Sequence, residues 1–355
     1  MNQEEFLKNV LQNKVPESSE VEIHAFEFCN LSCSFCGQDH KSTEGMDTVV
    51  QKARQAVDFI MRSALKKHTI NFMGGEIFND KVGPEVFVQY HQFYEIIRKA
   101  CEDLKVDFQI NWVTNLIFRE NTEMVDMLLE KTRKHSKIST SYDFAGRGLN
   151  LNNQLLFQRN LMRYRKYIGV VGFVFTAPSI RKMMLNKDKF FKEVLYPNFP
   201  LYFDWYVPEK AAEKMMPSEQ QMLDGLVFLA NNYPQVEPVK SLLENNENKM
   251  TCFSLNKTTI QPDGSEVKCR YMKYEEGEFQ TEVDYSSNAN IIQKHLDRHD
   301  CLSCEWYNRC GLVCYVNADY AKKERLPVCF LKTFFETTKE LQHAGTYRDE
   351  RKEIR

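Results

Sequence analysis

Between residue 20 and about residue 230 the chain alternates short β-branched or aromatic runs with longer apolar patterns of helical period, and this alternation leaves few folds open. The strand candidates are VEIHAFEF (21–28), TINFM (69–73), DFQINWVTN (107–115), KISTSYD (137–143), VVGFVFT (170–176) and LYFDWYVPE (201–209). The helix candidates between them are TVVQKARQAVDFIMRSALKK, PEVFVQYHQFYEIIRKACEDL, TEMVDMLLEKTRK, NNQLLFQRNLMRYRKY and FFKEVLY, with EQQMLDGLVFLANNY after the sixth strand. Six β-α units in series imply parallel strands with helices outside them. They fall short of the ~250 residues of a complete eight-fold barrel. The expected fold is therefore α/β, a partial (β/α)6 TIM barrel. At 231–250, NNYPQVEPVKSLLENNENKM turns polar and carries two prolines, which reads as a boundary. We expect a barrel over 1–235, a small cysteine-rich α+β domain over 236–335 and a charged tail over 336–355.

Composition narrows the partners. The 355 residues include 47 basic and 49 acidic side chains, a net charge of -2, so no overall field draws in nucleic acid or an anionic membrane. The first twenty residues, MNQEEFLKNVLQNKVPESSE, lack the basic start and apolar run of an export signal, and no run of ~18 uncharged apolar residues occurs. These features predict a soluble, cytoplasmic protein. Of the 11 cysteines, three fall between Cys29 and Cys36, seven between Cys252 and Cys329, and Cys101 stands alone in a helical pattern, where it reads as a small buried apolar side chain. In a reducing compartment such clusters hold metal or do redox work.

In βα barrels chemistry gathers where strands end and βα loops begin. CNLSCSFC, with Cys29, Cys33 and Cys36, follows the first expected strand; Gly74-Gly75-Glu76 follows the second. Thr114 and Asn115 close the third, and Ser141 to Asp143 close the fourth. Three thiolates on one loop can hold three irons of a [4Fe-4S] cube and leave the fourth iron open. A closed zinc site completed by His40 or His24 is the alternative.

The CxxxCxxC spacing, with Phe35 immediately before its last cysteine at the end of the first strand of a βα series, resembles the radical S-adenosylmethionine (SAM) enzymes. The resemblance covers most of the chain. It implies that SAM chelates the open iron, and that an electron from the cluster cleaves SAM to a 5'-deoxyadenosyl radical that abstracts a substrate hydrogen. Gly74, Gly75 and Glu76 look like the family's GGE motif, whose carboxylate or carbonyls accept hydrogen bonds from the methionine ammonium. By similarity Thr114, Asn115, Ser141 and Asp143 line the SAM pocket; as strand-end residues they could equally cap the next helix. Arg147 and Arg159 are both candidates for the SAM carboxylate.

The downstream cysteines, Cys252, Cys269, Cys301, Cys304, Cys310, Cys314 and Cys329, with Gly264 between the first two, are similar to the seven-cysteine SPASM pattern of radical SAM enzymes with auxiliary clusters. PDGSEVKC reads as a hairpin whose Asp263-Gly264 turn delivers Cys269. The similarity implies that Cys301, Cys304, Cys310 and Cys329 fully ligate one [4Fe-4S] cube and that Cys252, Cys269 and Cys314 hold a second. Sulfatase-maturing relatives place a cysteine six positions before the first of the seven, where this chain has Asn246, and an aspartate after the hairpin cysteine, where it has Arg270. Sulfatase maturation is therefore not expected.

An auxiliary cube near the substrate can accept an electron, so net oxidation or cross-linking is favoured. The resemblance then implies maturation of a peptide by a thioether or carbon-carbon bond, with flavodoxin or ferredoxin as reductant. Many peptide maturases carry an added leader-binding domain, yet only 28 residues precede Cys29; this weakens the peptide case without closing it, since a separate leader-binding protein can take that role. A small-molecule dehydrogenase acting on a sugar or aminocyclitol, and a non-catalytic zinc-binding module, are the alternatives. Alternation on the sixth strand places Tyr202, Asp204 and Tyr206 on one face, making Asp204 and Tyr206 candidates for substrate contact or proton transfer.

Overall fold

The computed structural model describes residues 17–142, 144–206, 213–244, 256–267, 299–307, 309–310 and 326–343. In chain order its main elements are β1 Ser19–His24, α1 Val49–Arg62, β2 Lys67–Met73, α2 Pro84–Leu104, β3 Asp107–Val113, α3 Thr122–Lys131, β4 Ser136–Ser141 and α4 Leu151–Arg163. There follow β5 Ile168–Phe175, α5 Ala177–Met184, β6 Leu201–Trp205, α6 Glu219–Asn232, α7 Val239–Leu243, β7 Lys257–Ile260, β8 Glu266–Val267, α8 Phe330–Thr337 and α9 Lys339–His343. All six expected strands form, and the fold is α/β with parallel strands in an open sheet that has β8 at one edge. Two compact units contain these elements, one comprising residues 1–141, 147–169 and 250–286, the other 142–146, 170–249 and 287–355.

In the first unit β4, β3, β2, β1 and β7 pair side by side in parallel, and β8 closes back on β7 antiparallel. One face of this sheet is apolar because residues two apart share a face. Val21, Ile23, Ile70, Phe72, Ile110, Trp112 and Ile138 are fully buried there. Helix α2 covers part of it with Val86, Phe87, Tyr90, Phe93, Tyr94 and Ile97, the three- and four-residue spacing of one helical stripe. Phe72 meets Phe93 at 4.9 Å and Trp112 at 5.1 Å between ring centroids, and Trp112 Nε1 donates to Ser136 Oγ at 2.9 Å. The opposite face is polar. Asn71 donates to Glu20 at 2.7 Å, Asn111 donates to Asn71 at 2.9 Å, and Lys257 on β7 stands 3.2 Å from Glu22, a transverse ladder that pins strand register.

The hairpin expected at Asp263-Gly264 forms between β7 and β8, with Gly264 at φ +84° supplying the left-handed turn residue. Strand β7 itself was not anticipated from sequence, because its partner β1 lies more than two hundred residues away and no local period marks a four-residue strand. Helix α1 holds the hairpin's turn: the buried Lys52 Nζ donates to Pro262 O at 3.0 Å, and Gln55 donates to Gly264 O at 2.7 Å.

In the second unit β5 and β6 pair in parallel, and Phe175 stacks on Phe203 at 4.3 Å. Helix α5, which the sequence reading passed over, is started by a capping box between Thr176 and Ser179; α6 is started by another between Ser218 and Gln221. The polar stretch read as a boundary at 231–250 pairs with β6, Phe203 N donating to Glu237 O and Glu237 N to Leu201 O, each at 2.9 Å. Strand β6 ends at Trp205, shorter than expected, so the alternation stops before Tyr206. Among the described residues no helix is long and apolar enough to cross a membrane.

Candidate functional site

The first unit gathers its chemistry-bearing loops by backbone pairing. Beyond the end of β1 the chain stays extended, and the second βα loop adds to it: Gly75 N donates to Phe26 O at 2.8 Å and Glu76 N to Phe28 O at 2.9 Å. A Cβ on Gly75 would overlap the carbonyls of Glu27 and Phe28, so only glycine lets these two segments meet. The cysteine loop starts at once from that anchor. Its ends are closed by Cys29 N donating to His40 O at 3.0 Å, and Asp39 N donates to Glu27 at 2.7 Å.

Glu76 is wholly buried, and its carboxylate accepts from Phe78 N at 2.9 Å, from Thr114 Oγ1 at 2.6 Å and from Asn115 N. Burial pushes its pKa up to about 7; those hydrogen bonds and the nearby Arg147 guanidinium hold the rise in check. The Glu76 side chain is thus spent on the protein. Asn115 is spent in the same way: its carbonyl accepts from Ile117 N at 2.8 Å, and its amide donates to Asn30 Oδ1 at 2.8 Å. Asn30, between Cys29 and Leu31, donates in turn to Ile117 O at 2.5 Å. The sequence reading did not single out Asn30, since nothing in one sequence marks a partner 85 residues away.

Cys29, Cys33 and Cys36 are all half-buried free thiols. The Cys29 thiol is pushed up to about 12, foremost by burial; Leu31 N–H, donating at 3.4 Å, opposes this, and the charges of Glu76, Cys33 and Cys36 add to it. Such thiols stay protonated until a cation displaces the proton, as metal-ligating cysteines must. Of the zinc alternatives, His24 turns Nε2 to Glu22 at 3.0 Å. Among the described residues no three His, Cys, Asp or Glu side chains are arranged to hold a single metal ion. Phe35 is half-buried beside Cys36, and Ser141, half-buried, offers its carbonyl to the guanidinium of buried Arg147. Arg159 lies exposed on α4, and Asp143 lies outside the described residues.

In the second unit Cys301, Cys304, Cys310 and Cys329 form another group of free thiols. Burial raises Cys301 to about 12, and the charges of Cys329, Cys310 and Cys304 add to the rise, so those three stand within electrostatic reach of Cys301. Burial raises Cys329 as well, and the Lys332 and Leu331 N–H groups at the start of α8 oppose that rise. Trp306 stacks on Phe335 at 4.9 Å with Arg309 over both rings, which packs the loop carrying Cys301 to Cys310 against α8. Cys252, Cys269 and Cys314, with Asn246 and Arg270, lie outside the described residues. Tyr202 and Asp204 share the exposed face of β6 as expected, whereas Tyr206 is buried past the strand's end and does not join them.

No family model and no curated protein matches the chain. Solved structures do match. Native anSMEcpe with bound AdoMet and Cp18Cys peptide aligns over 92% of this chain and 99% of that one with a TM-score of 0.64 at 21% identity. Streptococcus suis SuiB bound to precursor peptide SuiA aligns over 93% and 78% with a TM-score of 0.51 at 17% identity. The likeness is one of fold.

Proposed function

We propose that this chain is a radical SAM enzyme that modifies a peptide oxidatively, with an open [4Fe-4S] cluster on the loop of Cys29, Cys33 and Cys36 and auxiliary clusters on its later cysteines. The observation that carries the reading is that loop: three half-buried cysteines on one short segment anchored at the end of β1, with burial pushing Cys29 up to about 12. When bound, the cluster and SAM supply one-electron cleavage and a carbon-centred radical. The chain's own residues anchor and orient. Gly74 and Gly75 bring the second βα loop against the cysteine loop, and the Gly74 carbonyl, on which Gln38 closes only at 3.4 Å, is the acceptor we assign to the methionine ammonium. Arg147, buried and bound to the Ser141 carbonyl, is favoured over exposed Arg159 for the SAM carboxylate. Thr114 and Asn115 shape the pocket by holding Glu76 and Asn30, not by offering free side chains.

Cys301, Cys304, Cys310 and Cys329 suit a fully ligated cluster that takes up an electron from substrate. Cys252, Cys269 and Cys314 are assigned the other auxiliary cluster by their spacing alone. The peptide substrate is favoured because anSMEcpe and SuiB, which share the fold, were each solved with a peptide bound. Flavodoxin or ferredoxin would supply electrons.

Anaerobic reconstitution followed by iron and sulfide counts, with an assay for 5'-deoxyadenosine under dithionite, tests the reading. About twelve irons per chain with SAM cleavage supports it. Zinc without iron, or iron without SAM cleavage, overturns it.

A further inference from the structure

We infer that Asn30 and Asn115 form a clasp that positions the cysteine loop for its cluster, a role that rests on the cluster reading above. The Asn30 side chain crosses from CNLSCSFC to the loop after β3. Two bonds run in opposite senses across that gap: Asn115 Nδ2 donates to Asn30 Oδ1 at 2.8 Å, and Asn30 Nδ2 donates to Ile117 O at 2.5 Å. The Asn30 amide carries a separate donor and acceptor at its tip and so serves both bonds at once, whereas leucine of similar size makes neither. Asn115 is itself rigid, 6% exposed, with its carbonyl on Ile117 N and its backbone N–H on Glu76. The clasp therefore ties Cys29 to the same buried carboxylate that holds the ends of β2 and β3. Both amides of the clasp also stand beside the Cys29 sulfur, Asn30 Oδ1 at 3.9 Å and Asn115 Nδ2 at 4.0 Å. Outer-shell groups that orient a ligand are typically worth about 10-fold to 100-fold in metal affinity.

The test compares wild type with Asn30→Leu and Asn30→Asp, the latter keeping the acceptor that Asn115 needs. Three quantities are read on the full chain. They are thermal unfolding of the metal-free protein, the rate of iron loss to a ferrous chelator, and the change that SAM produces in the electron paramagnetic resonance of the reduced protein, which reports only a cluster with an open iron. The clasp predicts that Asn30→Leu sheds iron about 10-fold faster and loses the SAM-dependent change, while its metal-free unfolding stays close to wild type. Asn30→Asp should recover much of both. Iron retention and SAM response like wild type in Asn30→Leu would sink the clasp while leaving the cluster in place. Metal-free unfolding shifted as far as iron retention would reduce Asn30 to a structural role and overturn the inference. A wild type that binds no iron or shows no SAM response would remove the cluster reading, and the clasp with it.

Discussion

Glu76 shows how the partners of a single residue bear on a choice its motif leaves open. A carboxylate beside two glycines suggests a ligand group, yet its oxygens are taken by Thr114, Asn115 and Phe78. Its folded-state pKa, about 7, lies above the ordinary 4.5 because burial disfavours the charge. The sign follows: stability from the protonated form is complete below pH 4.5 and is lost as pH rises to 7, since the folded state then holds a proton the unfolded state has released. For the metal-free chain, wild-type stability relative to Glu76→Gln should fall by about 3 kcal/mol across that window, measured by urea unfolding at a series of pH values. A difference that stays flat or rises with pH would contradict the buried, uphill carboxylate. Gly75→Ala tests the neighbouring constraint. A methyl group facing the Glu27 and Phe28 carbonyls has no flexible atom to displace, so we expect at least about 2 kcal/mol of destabilisation and a matching loss of iron uptake.

Among elements, the β7–β8 hairpin carries the clearest expectation. Its two short strands have little area of their own, and its turn is held by Lys52 and Gln55 of α1. Lys52 is fully buried, with three oxygen acceptors: the carbonyls of Gly45 and Pro262 and the Thr48 hydroxyl. Replacing it with methionine strips those acceptors of their donor, at about 1–3 kcal/mol. Hydrogen exchange should then quicken at the Thr259 and Gln261 amides while the β2 and β3 amides keep their protection. Equal loosening of all strands would mean that Lys52 supports the whole sheet and not the hairpin. The element boundaries that sequence misplaced have related causes. Strand β1 was expected to run on to Phe28; it ends at His24, and the residues beyond it pair through Ala25 N to Met73 O and through the Gly75 and Glu76 amides, while β6 was cut short at Trp205.

At the scale of the molecule, the two described cysteine groups lie in different compact units, each with its own packing. They should therefore load separately. Alanine at Cys301, Cys304, Cys310 and Cys329 is expected to remove about four of twelve irons and leave SAM cleavage by the Cys29 loop detectable. Alanine at Cys29, Cys33 and Cys36 should abolish cleavage and retain the auxiliary iron. Iron analysis beside a 5'-deoxyadenosine assay distinguishes these outcomes, and complete iron loss in both variants would refute independent loading.

The sequence by itself determined the class of fold and the chemistry available to it. Period-two and period-3.6 patterns are local, so six parallel strands, helix α2 from Pro84 to Leu104 and the Asp263-Gly264 turn were all legible residue by residue. The cysteine spacings were equally legible, because a metal's demands fall on a few close positions. Tertiary structure alone decided what those positions touch. The pairing of β7 with β1, the burial of Tyr206, the Glu76 carboxylate turned onto Thr114 and Asn115, and the reach of Asn30 to Asn115 each join segments far apart in the chain. No periodicity encodes such a meeting. It is set when the strands align and bring their loops to one edge of the sheet, where each buried polar group must find the partner that water no longer supplies.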